Sequence, residues 1–465
     1  MSKQPNILYF VCHDLGKHAG CYGARVDTPN IDSFADESVK FTNCFTNSTA
    51  CSPSRMCAMS GQYAHTSGGV GLAHMGWPLP EDVNTIVDYL NDAGYETIHA
   101  GMEHERHPGQ NRYQVDMQKH WVHFDTERGV DDALEYLEKR DRSKPFYLNI
   151  GSQQPHGSTW GKTDDMYGGP VPPEDVWVPH YLHDTPALRR EFGRFQAAIR
   201  YMDKHFGRLM DGLKRLGHDE DTIVVFTTDH GIAAPRSKGT LYDRGIEIAL
   251  IVRMPGGEKA GSVCDHLVQN IDFTPTLLEA TGTALPDVLQ GRSFWPCLKG
   301  DDYQPHEQIF IERNFHGQNR IHGQKGYIDR YDPMRCIRTP EFHYIQRFDP
   351  EIKGRPWLPF ELVDDPTRAK ADWEDGAPYP EKRRPEFELY DLRHDPQEFI
   401  NVQGRPEYRE IEKDLHARLQ QWMEETDDHV LRTEVPQRRE APGWGPWEGI
   451  PDTEEEARAQ GWFDK

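Results

Sequence analysis

The stretch Ile7-Leu8-Tyr9-Phe10-Val11-Cys12-His13-Asp14 opens on five consecutive apolar side chains and closes on three that carry chemistry. A short apolar run without alternation is the pattern of a strand buried on both faces. A second run has the same design: Ile223-Val224-Val225-Phe226 passes into Thr227-Thr228-Asp229-His230-Gly231. In open α/β sheets, ligands bind beyond the carboxyl ends of the strands. The two polar clusters, far apart in the chain, are therefore expected to meet at one site.

The segments around these runs alternate strand and helix. Helical spacing appears over Ile31–Glu37 and over Asn84–Ala93, the latter stopped by Gly94. Gly94–Gly101 and Phe146–Ile150 read as strands. A long helix is expected over Pro186–Leu216, where Phe192, Phe195, Ile199, Met202, Phe206, Leu209 and Leu213 recur at helical spacing before Gly217. This alternation predicts an α/β fold: a large, mostly parallel sheet flanked by helices. After Pro286 the character changes. Pro333–Phe348 and Phe387–Leu392 read as antiparallel strands, and Tyr408–Glu425 as a closing helix. The expected division is an α/β domain over residues 1–330 and a smaller antiparallel-sheet subdomain over 331–465. Asp349–Pro385, charged and proline-rich, reads as a long surface loop, and the tail bearing Trp444, Trp447 and Trp462 as irregular chain wrapping the body.

Composition narrows the function. The 465 residues hold 76 Asp and Glu against 53 Lys and Arg, a net charge of −23, which argues against nucleic acid and anionic membranes as partners. The cysteines at 12, 21, 44, 51, 57, 264, 297 and 336 follow no disulfide or zinc-finger spacing. The first residues run straight into a strand without a secretion-signal pattern or a membrane-spanning run, and the expectation is a soluble, cytoplasmic protein.

The pentapeptide Cys51-Ser52-Pro53-Ser54-Arg55 then gives the chemistry a centre. It opens an expected helix, where free N–H groups and the positive end of the dipole favour anions. Arg55, one turn on, is placed to bond a nucleophile or an anionic oxygen. This pentapeptide resembles the signature of type I sulfatases of the alkaline phosphatase superfamily, in which the cysteine is oxidised to Cα-formylglycine. The likeness extends through Asp229-His230-Gly231, Lys238-Gly239-Thr240-Leu241-Tyr242, Asp272–Leu278, Met334-Arg335, Glu388–Pro396 and Leu419–Asp427, and is nearest to the heparan N-sulfatase (sulfamidase) branch and its bacterial relatives.

The resemblance implies an alkaline phosphatase-like fold and hydrolysis of a sulfate ester or sulfamate on a small, carbohydrate-type substrate. It implies a formylglycine gem-diol at Cys51 as nucleophile, made by a formylglycine-generating maturation enzyme. It also implies one divalent cation, calcium in the family, held by Asp14, Asp229, His230 and the modified Cys51. His13 stands where the family has an aspartate: it either joins the shell or packs beside it, and imidazole ligands open the site to manganese, iron or zinc. His104 matches the family base, His156 and Lys238 the groups that protonate the leaving atom, and Arg55 and Lys238 the sulfate-binding cations. Met102 replaces a family lysine. His65, His74, His316 and Arg335 are expected at the substrate rim, and Trp77 and Trp160 as platforms for a sugar ring. The alternative of the same superfamily is a phosphonate monoester or phosphodiester hydrolase; a non-catalytic binding relative is a third.

Overall fold

The computed structural model describes all residues except 1–3, 107–109, 118–124, 158, 160–165, 235, 317–329, 349–384, 438 and 440–465. The expected loop over Asp349–Pro385, the tail tryptophans and Trp160 fall almost wholly outside the described residues. The described residues form fourteen strands: β1 (Asn6–Cys12), β2 (Val39–Phe41), β3 (Cys44–Phe45), β4 (Glu96–Gly101), β5 (Val115–Asp116), β6 (Phe146–Gly151), β7 (Thr222–Thr228), β8 (Leu250–Arg253), β9 (Ser262–Cys264), β10 (Val268–Gln269), β11 (Ile309–His316), β12 (Arg330–Arg338), β13 (Phe342–Arg347) and β14 (Phe387–Asp391). The helices that matter below are α1 (Pro29–Asp36), α2 (Cys51–Ser60), α3 (Ile86–Asp92), α4 (Thr126–Lys139), α5 (Pro186–Arg215), α6 (Phe273–Thr281), α7 (Trp295–Lys299) and α8 (Arg409–Glu425).

Eight strands make the main sheet in the order β5-β4-β6-β1-β7-β8-β2-β9. β8 alone runs against its neighbours; the other pairs are parallel. The apolar runs explain why. Alternate side chains of a strand face opposite ways. Leu8, Phe10, Val224 and Phe226 pack with Phe192, Phe195, Met202 and Phe206 of α5 on one face. Ile7, Tyr9, Ile223 and Val225 pack with Phe273, Leu277 and Leu278 of α6 on the other. Both faces are covered, so no polar alternation is required. α5 is started by Thr185, whose hydroxyl accepts from the Leu188 N–H, and α3 by a capping box between Thr85 and Asp88.

The register positions the site. Val11 pairs with Thr227 and Cys12 with Thr228, while Val11 also pairs with Gly151 and Gly151 with Gly101. β1, β7, β6 and β4 therefore end level. β2 is laid down far out on the β7 side, β4, β5 and β6 then fill one flank of β1, and β7 and β8 fill the other, so the strand order reverses at β1.

A second, antiparallel sheet has the order β11-β12-β13-β14. It begins at Ile309, ahead of the expected division at residue 330, because β11 supplies its outer strand. α8 lays Leu415, Leu419, Trp422 and Met423 against Phe310, Ile337, Tyr344 and Leu389 on one face. Phe45, Leu241 and Ile246 from the main body pack with Ile311, Met334 and Ile345 elsewhere in this sheet. No helix among the described residues is long and apolar enough to cross a membrane, and the eight cysteines are free thiols.

Candidate active site

Four strand ends and one helix start deliver the site. β1 supplies His13 and Asp14; β7 supplies Asp229 and His230; β4 leads to His104; β6 leads to His156; α2 begins at Cys51. Cys51 is 1% exposed. Ala50 gives α2 no side-chain cap, so the positive end of the helix is turned to the cysteine. The start of α2 is held from distant chain: Thr46 Oγ1 donates to Ser54 Oγ at 2.8 Å, Ser54 Oγ donates to the Asp229 carbonyl at 2.5 Å, and Asn270 Nδ2 donates to the Ser54 carbonyl at 2.9 Å. Asp14 takes a positive φ of 50°, a conformation that an aspartate tolerates better than most residues.

The donor atoms converge. Asp14, Cys51, Asp229 and His230 each place one ligand atom within 4.8 Å of the others, and so do His13, Asp14, Cys51 and His156. His230 Nδ1 lies 2.9 Å from the Gly231 carbonyl and Nε2 lies 3.3 Å from Cys51 Sγ. The first contact occupies Nδ1 and leaves Nε2 facing the cluster, the orientation found in histidines that bind metals. His13 Nδ1 is 2.9 Å from Asp229 Oδ2, and its Nε2 is 3.0 Å from Met102 Sδ. Asp229 Oδ1 accepts from the backbone N–H of Asp14 and of His230, each at 3.0 Å. This donor set fits a divalent cation.

Cationic groups surround it. Arg55 donates through Nε to Asp229 Oδ2 and through Nη2 to the Cys12 carbonyl, both at 3.3 Å. Lys238 Nζ lies 3.0 Å from each oxygen of Asp14, and His156 Nε2 is 3.9 Å from Asp14 Oδ2. Burial opposes the charged form of His13 most strongly, but Asp229, Cys51 and Asp14 together raise the ring to about 10. His230 is raised to about 9 against the same penalty by Asp229 and the Cys51 sulfur. Burial would raise Asp229, Asp14 and Cys51; His230, His13 and Arg55 hold Asp229 low, Lys238 and His156 hold Asp14 low, and Lys238, His230 and His13 hold the Cys51 thiol low. Burial keeps His104 and His156 below the ordinary imidazole value. His74 Nδ1 lies 3.0 Å from His104 Nε2, with the two rings nearly parallel.

Cys51, Arg55, His104, His156, Lys238, His13, Asp14, Asp229 and His230 are thus brought together, with His74 behind His104. His65 and Arg335 are not rim residues. Arg335 is 0% exposed, and its five N–H groups go to both oxygens of Asp428, to Asn314 Oδ1 and to the carbonyls of Arg313 and Met334. A guanidinium has five N–H donors, so none remains for a substrate. His65 Nδ1 sits 2.9 Å from Glu312 in the same buried network. Trp77 is likewise core, 1% exposed and stacked on Phe315, so it is no sugar platform. The His316 side chain lies outside the described residues. Sequence reasoning missed Asn270 as a brace of the helix that Cys51 starts, and also the contact between Met102 and His13; neither leaves a local pattern.

Comparison with known proteins gives the family. The family model described as Sulfatase matches residues 5–283, and the one described as N-sulphoglucosamine sulphohydrolase, C-terminal, matches residues 231–375. The chain belongs to the sulfatase family and is a sulfuric ester hydrolase. An ulvan-active sulfatase of Formosa agariphila is 27% identical over 92% of this chain and 82% of its own length. The N-sulphoglucosamine sulphohydrolase of Homo sapiens is 26% identical over 91% of this chain and 90% of its own. A solved structure of a protein in complex with its substrate D-glucosamine-2-N,6-O-disulfate has the same fold, with a TM-score of 0.68 at 21% identity, covering 92% of this chain and 99% of that one.

Proposed function

We propose that this hydrolase removes sulfate, as an ester or a sulfamate, from a small sulfated sugar, with position 51 matured to formylglycine and one divalent cation bound by Asp14, Asp229, His230 and residue 51. The observation that carries the reading is the convergence of those four ligand atoms within 4.8 Å at the start of a buried helix. The carbohydrate class is supported by the names of the relatives, which act on ulvan and N-sulphoglucosamine. The mature residue 51 supplies a hydrated aldehyde as nucleophile, and the cation supplies charge neutralisation at the sulfate oxygens.

The other side chains divide the remaining work. Arg55 and Lys238 bind and orient the sulfate, aided by the end of α2. His104, steadied by His74, accepts a proton from the residue 51 hydroxyl. His156, with Lys238 beside it, gives a proton to the departing oxygen or nitrogen. The inward imidazole of His230, with His13 available beside it, favours manganese, iron or zinc over calcium, which prefers an all-oxygen shell. Met102 in place of a lysine removes one cation from the sulfate pocket and, with the acidic total, favours a small substrate over a dense polyanion.

The test is sulfate release by protein coexpressed with a formylglycine-generating enzyme. Turnover is expected on N- or O-sulfated monosaccharides, with the aldehyde found at position 51 by peptide mass spectrometry. Faster turnover of a phosphonate monoester or a phosphodiester would replace the sulfate reading with the alternative, and higher efficiency on an intact sulfated polymer at physiological salt would overturn the small-substrate reading.

A further inference from the structure

Away from the candidate active site, a softer set of ligands converges at the edge of the main sheet. β9 ends at Cys264, His266 follows two residues later, and Cys297 comes from α7. The sulfurs of Cys264 and Cys297 are 3.2 Å apart, and a ring nitrogen of His266 lies with both inside a span of 4.8 Å. Cys264 is buried, while Cys297 and His266 are half-buried. The His266 ring rests on Tyr303, with centroids 5.4 Å apart.

We propose that Cys264, His266 and Cys297 form a second metal site, for a zinc-like divalent cation, that clips β9 to α7. Two thiolates and an imidazole select zinc over the hard cations that prefer oxygen. Zinc binds sulfur at about 2.3 Å and nitrogen at about 2.0 Å in a tetrahedral shell, so the sulfurs need to part by only about half an ångström. The half-exposed side leaves the fourth position to water or to Asp265, whose charge reaches both sulfurs. The bond between the two thiols holds Cys297 low and Cys264 high, and binding through both sulfurs displaces thiol protons to solvent. A bare disulfide would use only the two sulfurs and would leave the approach of His266 without a role.

The clip has a structural purpose. β9 is an edge strand with only three paired positions, on β2, and its Val263 is 59% exposed. From Cys264 the chain runs through β10 to Asn270, which holds Ser54 in the helix of Cys51. A cation here would tether one end of the segment that braces the nucleophile.

Cobalt(II) titration of the full chain, reduced and metal-free, tests the site. A Cys51→Ser background removes the one thiolate of the active-site cluster. One equivalent of cobalt is expected to produce an intense near-ultraviolet thiolate-to-cobalt band that zinc abolishes. Cys264→Ser and Cys297→Ser should each cut the band by about half or more, and His266→Ala, at a half-buried position, should weaken cobalt binding about 10-fold or more. Zinc should raise the melting temperature of the parent by more than that of Cys297→Ser, whose active-site cluster is intact. Absence of the band at saturating cobalt with the thiols shown free, a band unchanged in both cysteine variants, or loss of the two thiols to a disulfide without metal uptake would each overturn the proposal.

Discussion

Two buried clusters in this molecule use the same residue types for opposite ends. At the ends of β1 and β7, Asp14 and Asp229 stand among His13, His230, Arg55 and Lys238. Beneath the second sheet, Glu312 and Asp428 stand among His65 and Arg335. In the second cluster the groups close on one another: Arg335 meets Asp428 with two bonds of 2.5 and 2.8 Å, and Glu312 Oε1 takes both the ring and the backbone N–H of His65. In the first, the carboxylates, imidazoles and thiol bring their ligand atoms within 4.8 Å of one another in two overlapping groups of four, and His230 directs its Nε2 toward the sulfur. Burial and charge do not separate a functional cluster from a structural one. The direction of the lone pairs, and the donors already committed, do.

The contrast can be broken by substitution. Cys51→Ala should lower turnover by about 10³-fold or more while the fold persists, measured by sulfate release and circular dichroism. Arg55→Ala should cost about 10²-fold in kcat/KM. Arg335→Ala should instead cost about 3–5 kcal/mol of stability, since buried Asp428 and Glu312 lose the guanidinium that faces them both, with kcat/KM of the folded fraction changed less than about threefold. Denaturant titration beside steady-state kinetics checks both; a purely kinetic effect of Arg335→Ala would return it to the substrate site.

Met102→Lys places an ammonium against the His13 ring and should lower activity about 10-fold. Adding His13→Asp should recover much of the loss, a coupling of about 1–2 kcal/mol in a double-mutant cycle. The smallest effect is the acid limb of stability. Burial would raise Glu312, but His65 and Arg335 hold it at about 2. Its folded value is below the unfolded value of about 4.3, so its stabilisation is present above about pH 4.3 and is lost as the pH falls toward 2. His65 is raised by Glu312 despite burial, so its contribution is present below about pH 6.5 and is lost as the pH rises through its folded value. Unfolding midpoints across that window should fall more gently toward acid in Glu312→Gln than in the parent.

Much of this was legible from the chain. The runs at Ile7–Val11 and Ile223–Phe226 announced strands covered on both faces, and the polar residues after each announced what would lie beyond them. The long helix was visible because seven apolar residues, from Phe192 to Leu213, kept one face over about six turns. What stayed hidden depended on pairing between distant segments. Arg335 looks like any cation until Asp428 is seen to occupy it, and Trp77 like any loop aromatic until Phe315 covers it. β11 read poorly because its partner β12 follows a long intervening segment. Cys264 and Cys297 showed no motif spacing because they join a strand to a helix.

The depth of Cys51 also sets an order of events. The residue is 1% exposed, and the first turn of its helix is tied through Ser54 to β7 and to Asn270, so no second enzyme can close its own pocket around that side chain once these parts have docked. Under the proposed maturation of Cys51, the modifying enzyme must therefore meet the segment while it is still extended, before Asn270 has been made and packed against it. The proportion of active molecules then becomes a race between oxidation and folding: slowing translation or weakening the Asn270 bond should raise the fraction carrying the aldehyde, whereas native protein offered to the same enzyme should remain a thiol.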